Sequence, residues 1–151
     1  MLSGSKGIQN KNKNDNWRKC FSFTDKEQLV SLEKKIDDIT KGLDKAWSKK
    51  LLEGLSLENA DVICDYIISM RTEINPADNY RRDSIKMPYL LSNYLKDKPF
   101  HEMTREDIID FLDSFRKPET LDPLHKWIGT YNLYLVRIIR FFKWLYYPET
   151  E

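Results

Sequence analysis

Between Pro123 and Tyr147 the chain carries four cations, Lys126, Arg137, Arg140 and Lys143, and no carboxylate. Side chains of that kind are suited to holding a polyanion. Uncompensated like charges repel one another in the free protein, and phosphates relieve that repulsion while releasing counterions. Thr130 and Asn132 stand near the start of the same stretch, where they can add neutral hydrogen bonds to phosphate or base edges. A second basic group, Arg81, Arg82 and Lys86 beside Tyr80, is diluted by Asp78 and Asp83. The competing reading of both groups is a solvated helix face, but such faces normally interleave the two signs of charge.

Bond-breaking chemistry finds less material. The two histidines, His101 and His125, have no partner pattern around them, and Glu106, Asp107, Asp110 and Asp113 read as the solvated face of a helix. The two cysteines, Cys20 and Cys64, give neither a disulfide framework nor a metal-ligand spacing, which suits a reducing, intracellular setting. No phosphate loop, nucleophile elbow or metal-binding motif occurs, so no cofactor and no metal is expected. Lys+Arg number 25 against Asp+Glu 24, so no global field draws the molecule to nucleic acid, and any such affinity must come from local segregation of charge. No run of residues suits a membrane span or an export signal.

The elements that would position these groups are helices, since no stretch alternates with period two. Residues 1–20 are polar and read as a disordered arm. Thr24 and Glu27 stand at capping-box spacing, and Leu29, Leu32, Ile36, Ile39 and Leu43 then form an apolar seam in an amphipathic segment over 21–55. That seam suits packing on the domain's own core, with dimerisation as the alternative. After Gly54 and Ser56, a helix ending near Glu73 carries the stripe Ile63, Ile67 and Met70. Asn75 and Pro76 supply an N-cap and first-turn proline for the next helix, in which Pro88 predicts a kink or split near Lys86. Thr104 and Asp107 form a second capping box, opening a short helix that buries Ile108, Leu112 and Phe115. A final helix from Leu124 to Tyr147 stops at Pro148. Stepping about 100° per residue gathers Trp127, Tyr131, Leu135, Ile138, Phe142 and Leu145 into one arc, the predicted core face, with the cations opposite.

Several motifs occur in a recognisable order: Met70-Arg71-Thr72-Glu73, Asn79-Tyr80-Arg81-Arg82, Leu90 to Leu95, Met103 to Leu112, Gly129 to Asn132, and Arg140 to Leu145. Over about Leu57 to Glu151 this order resembles the N-terminal core-binding domain of tyrosine recombinases, the phage-integrase-like family, in its archaeal branch. The resemblance implies an all-α fold, a SAM-like orthogonal bundle of four helices with an additional N-terminal amphipathic helix. Such a bundle forms half of a C-shaped clamp on double-stranded DNA, and a C-terminal catalytic domain of the same parent protein forms the other half. Its second and fourth helices would meet DNA, and these hold the two basic groups. The candidate DNA contacts are Tyr80, Arg81, Arg82, Lys86, Lys126, Thr130, Asn132, Arg137, Arg140 and Lys143. The family's tyrosine nucleophile and His-x-x-Arg element lie in the later domain. Here Thr104 and Ile128 stand three residues beyond the histidines, so a non-catalytic fragment is implied. Further implications are protomer contacts on DNA, no membrane, and a cytoplasmic, nucleoid-associated location. The competing function is a helical protein-interaction module, docking through the Leu29 to Leu43 seam or through Leu133 and Trp144.

Overall fold

A computed structural model of the chain describes residues 23–73 and 77–147, which form helices and no strand. The all-α expectation holds. In chain order the elements are α1 (Phe23–Ile39), α2 (Lys45–Glu53), α3 (Leu57–Glu73), α4 (Asp78–Tyr94), a 3-10 turn (Phe100–Glu102), α5 (Arg105–Asp113) and α6 (Trp127–Tyr146). The arm over 1–20 lies outside the described residues, as do the Thr24 side chain, Asn75, Pro76 and Pro148.

Helix α3 is the centre of the core because its apolar residues extend well beyond one stripe, burying Ala60, Ile63, Cys64, Tyr66, Ile67 and Met70. Helix α1 lies along it and buries Leu29, Leu32, Ile36 and Ile39. The heptad seam is therefore consumed inside the chain's own core, which withdraws it as a docking surface. Beside the seam, Lys35 reaches Asp61 at 2.9 Å and Asp65 at 3.0 Å, and Arg71 pairs with Asp38. These pairs are part-exposed and contribute about 1 kcal/mol or less each, against roughly 1.5–3 kcal/mol for each buried aliphatic side chain. Burial pushes the Cys64 thiol up to about 12, with the fields of Asp61 and Asp65 adding to it, so this cysteine stays a protonated core residue.

Within the helical segment expected over 21–55, the described residues from Phe23 on form two helices, α1 and α2, where one additional amphipathic helix was expected. Leu43, the last predicted seam residue, falls past the end of α1. The chain turns at Gly42, whose φ of +84° is open to glycine without the steric penalty of a side chain. Asp44 then caps α2 by accepting from the Ala46 amide at 3.0 Å, and α2 buries Trp47 and Leu51. Next, Ser56 Oγ accepts from the Asn59 amide at 3.2 Å and opens α3.

Helix α4 starts with Ala77 at its N-cap and no side-chain cap, and it runs unbroken through Pro88. A proline removes one backbone hydrogen bond, here the one to the Ser84 carbonyl. Burial of Ile85, Met87, Pro88 and Leu91 on the core side offsets that loss. The turn after α4 places Lys96 and Asp97 at φ of 55° and 63°. It is held by the fully buried Asn59, whose Nδ2 donates to Asp97 Oδ1 and the Lys98 carbonyl, both at 3.0 Å, and whose Oδ1 accepts from the Phe100 amide at 3.2 Å.

The capping box of α5 is present with both of its bonds: Asp107 N–H donates to Thr104 Oγ1 at 3.3 Å, and Thr104 N–H donates to Asp107 Oδ2 at 2.9 Å. Lys98 Nζ also donates to that carboxylate, at 2.6 Å. The Lys98 bond first, and the Thr104 amide next, hold the Asp107 carboxyl below the usual range. A depressed carboxyl contributes stability above its unfolded value of about 4 and loses it as pH falls through the lower folded value. Asp107→Asn is therefore expected to flatten the acid limb of a stability–pH curve below about pH 4. An unchanged limb in urea titrations would count against the capping box as an acid-labile element. Helix α5 buries Phe111 and Leu112, while Ile108 and Phe115 are half-buried, with Phe115 past the helix end.

Helix α6 begins at Trp127 rather than Leu124, and its buried residues are Tyr134, Ile138 and Phe141. The core stripe is turned by about 50° from the predicted arc. The cause is aromatic packing on two sides: Phe141 meets the rings of Phe100 and Tyr66 edge-on at 5.0 and 5.1 Å, and Tyr134 stacks on Phe115 at 4.7 Å. Trp127, Tyr131, Leu135, Phe142 and Leu145 are left half-buried.

Candidate nucleic-acid interface

The rotation of α6 sets its side-chain directions. Helices α4 and α6 lie side by side, so two segments about sixty residues apart meet along one seam. Arg140 donates to the Tyr80 hydroxyl, and its guanidinium sits 5.9 Å from the centre of that ring. One turn earlier on α6, Arg137 reaches Asp83 at 3.5 Å and lies over the Tyr134 ring at 5.9 Å. Burial pushes the Tyr134 phenol up, opposed by Arg137, so it remains a neutral packing residue. Arg82 also pairs with Asp83, at 3.4 Å.

Asp83 thus sits between two of the cations, and the charge that looks uncompensated along α6 is partly balanced from the neighbouring helix. What remains is a cationic surface with an aromatic patch. Arg82, Lys86, Lys126 and Arg140 are exposed, and neither Lys86 nor Lys126 has an ion-pair partner among the described residues. Thr130 is exposed on the same side of α6 by helical position.

Three predicted contacts do not belong to this surface. Arg81 is buried at 8 % exposure, with Nη2 donating to the Lys41 carbonyl and to Asp78. It ties the α1–α2 turn to α4 and offers nothing to a ligand. The residue after it, Arg82, is rotated by about 100° and points to solvent. Asn132 and Lys143 are exposed but turn away from α4, toward an apolar strip on the other side of α6.

Two further features escape a reading of the sequence. Just upstream of the acid-free stretch, Asp122 accepts from the Trp127 amide at 2.9 Å and occupies the start of α6. That bond, with help from the Lys126 amide, holds the Asp122 carboxyl below its usual value. The first turn of α6 is therefore not free for a phosphate. On the far side of α4, Lys49 and Lys50 of α2 line a shallow groove with Tyr89, next to the stripe carrying Arg82 and Lys86. Lys50 lies 4.5 Å over the Trp47 ring. The signal for this extension is the Lys-Lys pair following Trp47, which becomes meaningful only once α2 is seen to pack beside α4.

Compared with known proteins, the chain matches no family model, no curated protein and no solved structure. Among the described residues, no helix is long and apolar enough to cross a membrane.

Proposed function

We propose that this chain is a DNA-binding module of the core-binding kind found in tyrosine recombinases, gripping duplex DNA across the α4–α6 seam while strand cleavage belongs to a separate catalytic domain. The observation that carries the reading is the meeting of two sequence-distant basic segments, through Arg140 and Tyr80, on a surface where the exposed cations outnumber Asp83, the acid between them. Cations spread over two adjacent helices suit the phosphates of a duplex, and the Tyr80 ring and Thr130 hydroxyl suit sugar and backbone contacts. Recognition of this type is dominated by phosphate and sugar contacts, which make up most protein–DNA hydrogen bonds, while the exposed Arg82 and Arg140 guanidiniums are also able to meet guanine edges.

Fluorescence anisotropy with a duplex of about 30 base pairs tests it. With four phosphate contacts, affinity is expected to fall about a hundredfold between about 50 and about 200 mM salt. A decline of less than about threefold over that range would sink the reading, because counterion release from several phosphates cannot be that shallow.

A further inference from the structure

A third helix borders the candidate interface. Helix α2 is tied to α4 at both ends and runs in the same direction. The turn before α2 is held by Arg81, which donates to the Lys41 carbonyl, and further along Tyr89 of α4 forms one wall of a groove with α2. The Trp47 and Tyr89 rings meet edge-on at 5.8 Å. Gly54, just past the end of α2, permits the close approach, since a Cβ there would stand 3.1 Å from the Tyr89 hydroxyl.

The side chains of α4 show where its neighbours lie. Tyr80 and Asp83 turn toward Arg140 and Arg137 of α6, whereas Tyr89, about 120–180° further around the helix, turns toward α2. Arg82 and Lys86 fall between these two sides and face solvent. With α4 in the middle, α2 and α6 stand up to about 20 Å apart, two helix spacings of about 8–10 Å each. That span is about half a helical turn of B-DNA, so a duplex lying across α6 and α4 continues over α2. The wall it meets there is basic. Lys49 and Lys50 are exposed along the α2–α4 groove, whose lining includes a single acid, Glu53. Lys50 has no ion-pair partner among the described residues, and its ammonium lies 4.5 Å over the Trp47 ring, which steadies a flexible side chain. Lys49 is only loosely paired, 4.0 Å from Glu53 at the surface, and such a pair leaves the cation open to a phosphate.

We propose that the DNA footprint extends from the α4–α6 seam across α4 onto α2, where Lys49 and Lys50 hold two further phosphates of the same duplex. The inference rests on the DNA-binding reading of the seam. It adds a helix that precedes Leu57 and so lies outside the stretch that resembles a recombinase core-binding domain. The side chains involved are far apart in sequence from Arg82, Lys86 and Arg140, and only the packing of α2 beside α4 brings the two groups onto one face.

Lys49→Gln combined with Lys50→Gln tests the extension, because it removes both charges while keeping the stems, including the one over Trp47, and helical circular dichroism should be unchanged. In anisotropy titrations with a duplex of about 30 base pairs, six phosphate contacts in place of four deepen the expected wild-type fall in affinity to about a thousandfold between about 50 and about 200 mM salt. The double variant is expected to fall only about a hundredfold, its slope of log affinity against log salt lower by about two. Lys26→Gln combined with Lys34→Gln removes the same charge from exposed positions on α1 and should keep the wild-type slope. If the α2 variant keeps the wild-type slope, or if the α1 variant loses as much, the extension is overturned while the seam reading stands. A wild-type fall of less than about threefold would remove the seam and the extension together.

Discussion

Replacing Arg82, Lys86 and Arg140 together by alanine is expected to lower affinity for duplex DNA about a hundredfold at about 100 mM salt, and to reduce the slope of log affinity against log salt by about three. Each side chain is exposed, and none is buried in the core, so the fold should survive the change. Arg140 loses the Tyr80 contact and Arg82 one arm of the Asp83 cluster, both at the surface. Arg81→Ala supplies the contrast. Its guanidinium is buried against the Lys41 carbonyl and Asp78, so alanine there should leave the salt slope intact and cost about 1–3 kcal/mol of stability. A triple variant with an unaltered slope would remove the seam as the interface. An Arg81→Ala chain that keeps its stability but loses slope would reverse the assignment of the two neighbours.

Asn59→Ala should be among the most destabilising single substitutions in the described chain, by about 3 kcal/mol or more in urea unfolding. Asn59 is fully buried and answers for the Asp97 carboxylate, the Lys98 carbonyl and the Phe100 amide, with Ser92 Oγ at 3.2 Å. Alanine abandons these groups where water has no easy access, and each unpaired polar group carries a desolvation penalty. The same groups position Phe100, whose ring packs on Phe141, so the loss should also loosen the docking of α6. For a chain of this size the expected fall in melting temperature is about 6–12 °C. Asn93→Ala, at an exposed position one residue beyond Ser92, serves as control and should stay within about 0.5 kcal/mol. Equal stabilities for the two variants would refute the role given to the network.

Several features of the fold are legible from local patterns. The seam of α1, the stripe of α3 and the Thr104–Asp107 capping box depend on residues within one or two turns of each other, and each formed as its spacing requires. The break at Gly42 and Asp44 was also written locally, as a positive-φ glycine followed by an N-cap. It is easily overlooked because Leu43 continues the heptad rhythm across it. Pro88 misleads in the opposite direction. Its local rule predicts a break, and tertiary burial on the core side of α4 overrides the rule.

The candidate surface divides in the same way. Sequence alone determined that α6 is basic, aromatic and free of acids, because composition within one helix needs no fold to be read. It also determined that α4 carries the second basic group. Only the tertiary structure decided which of those cations face a ligand. The rotation of about 50° in α6 puts Arg140 on the seam and leaves Lys143 turned away from α4, and one step of about 100° along α4 separates buried Arg81 from exposed Arg82. The rotation of α6 is set by the aromatic contacts of Phe141 and Tyr134 with Tyr66, Phe100 and Phe115, partners 19 or more residues away in the chain. Periodicity fixes how side chains are spaced around a helix. The direction in which the whole pattern points is fixed by what the helix packs against.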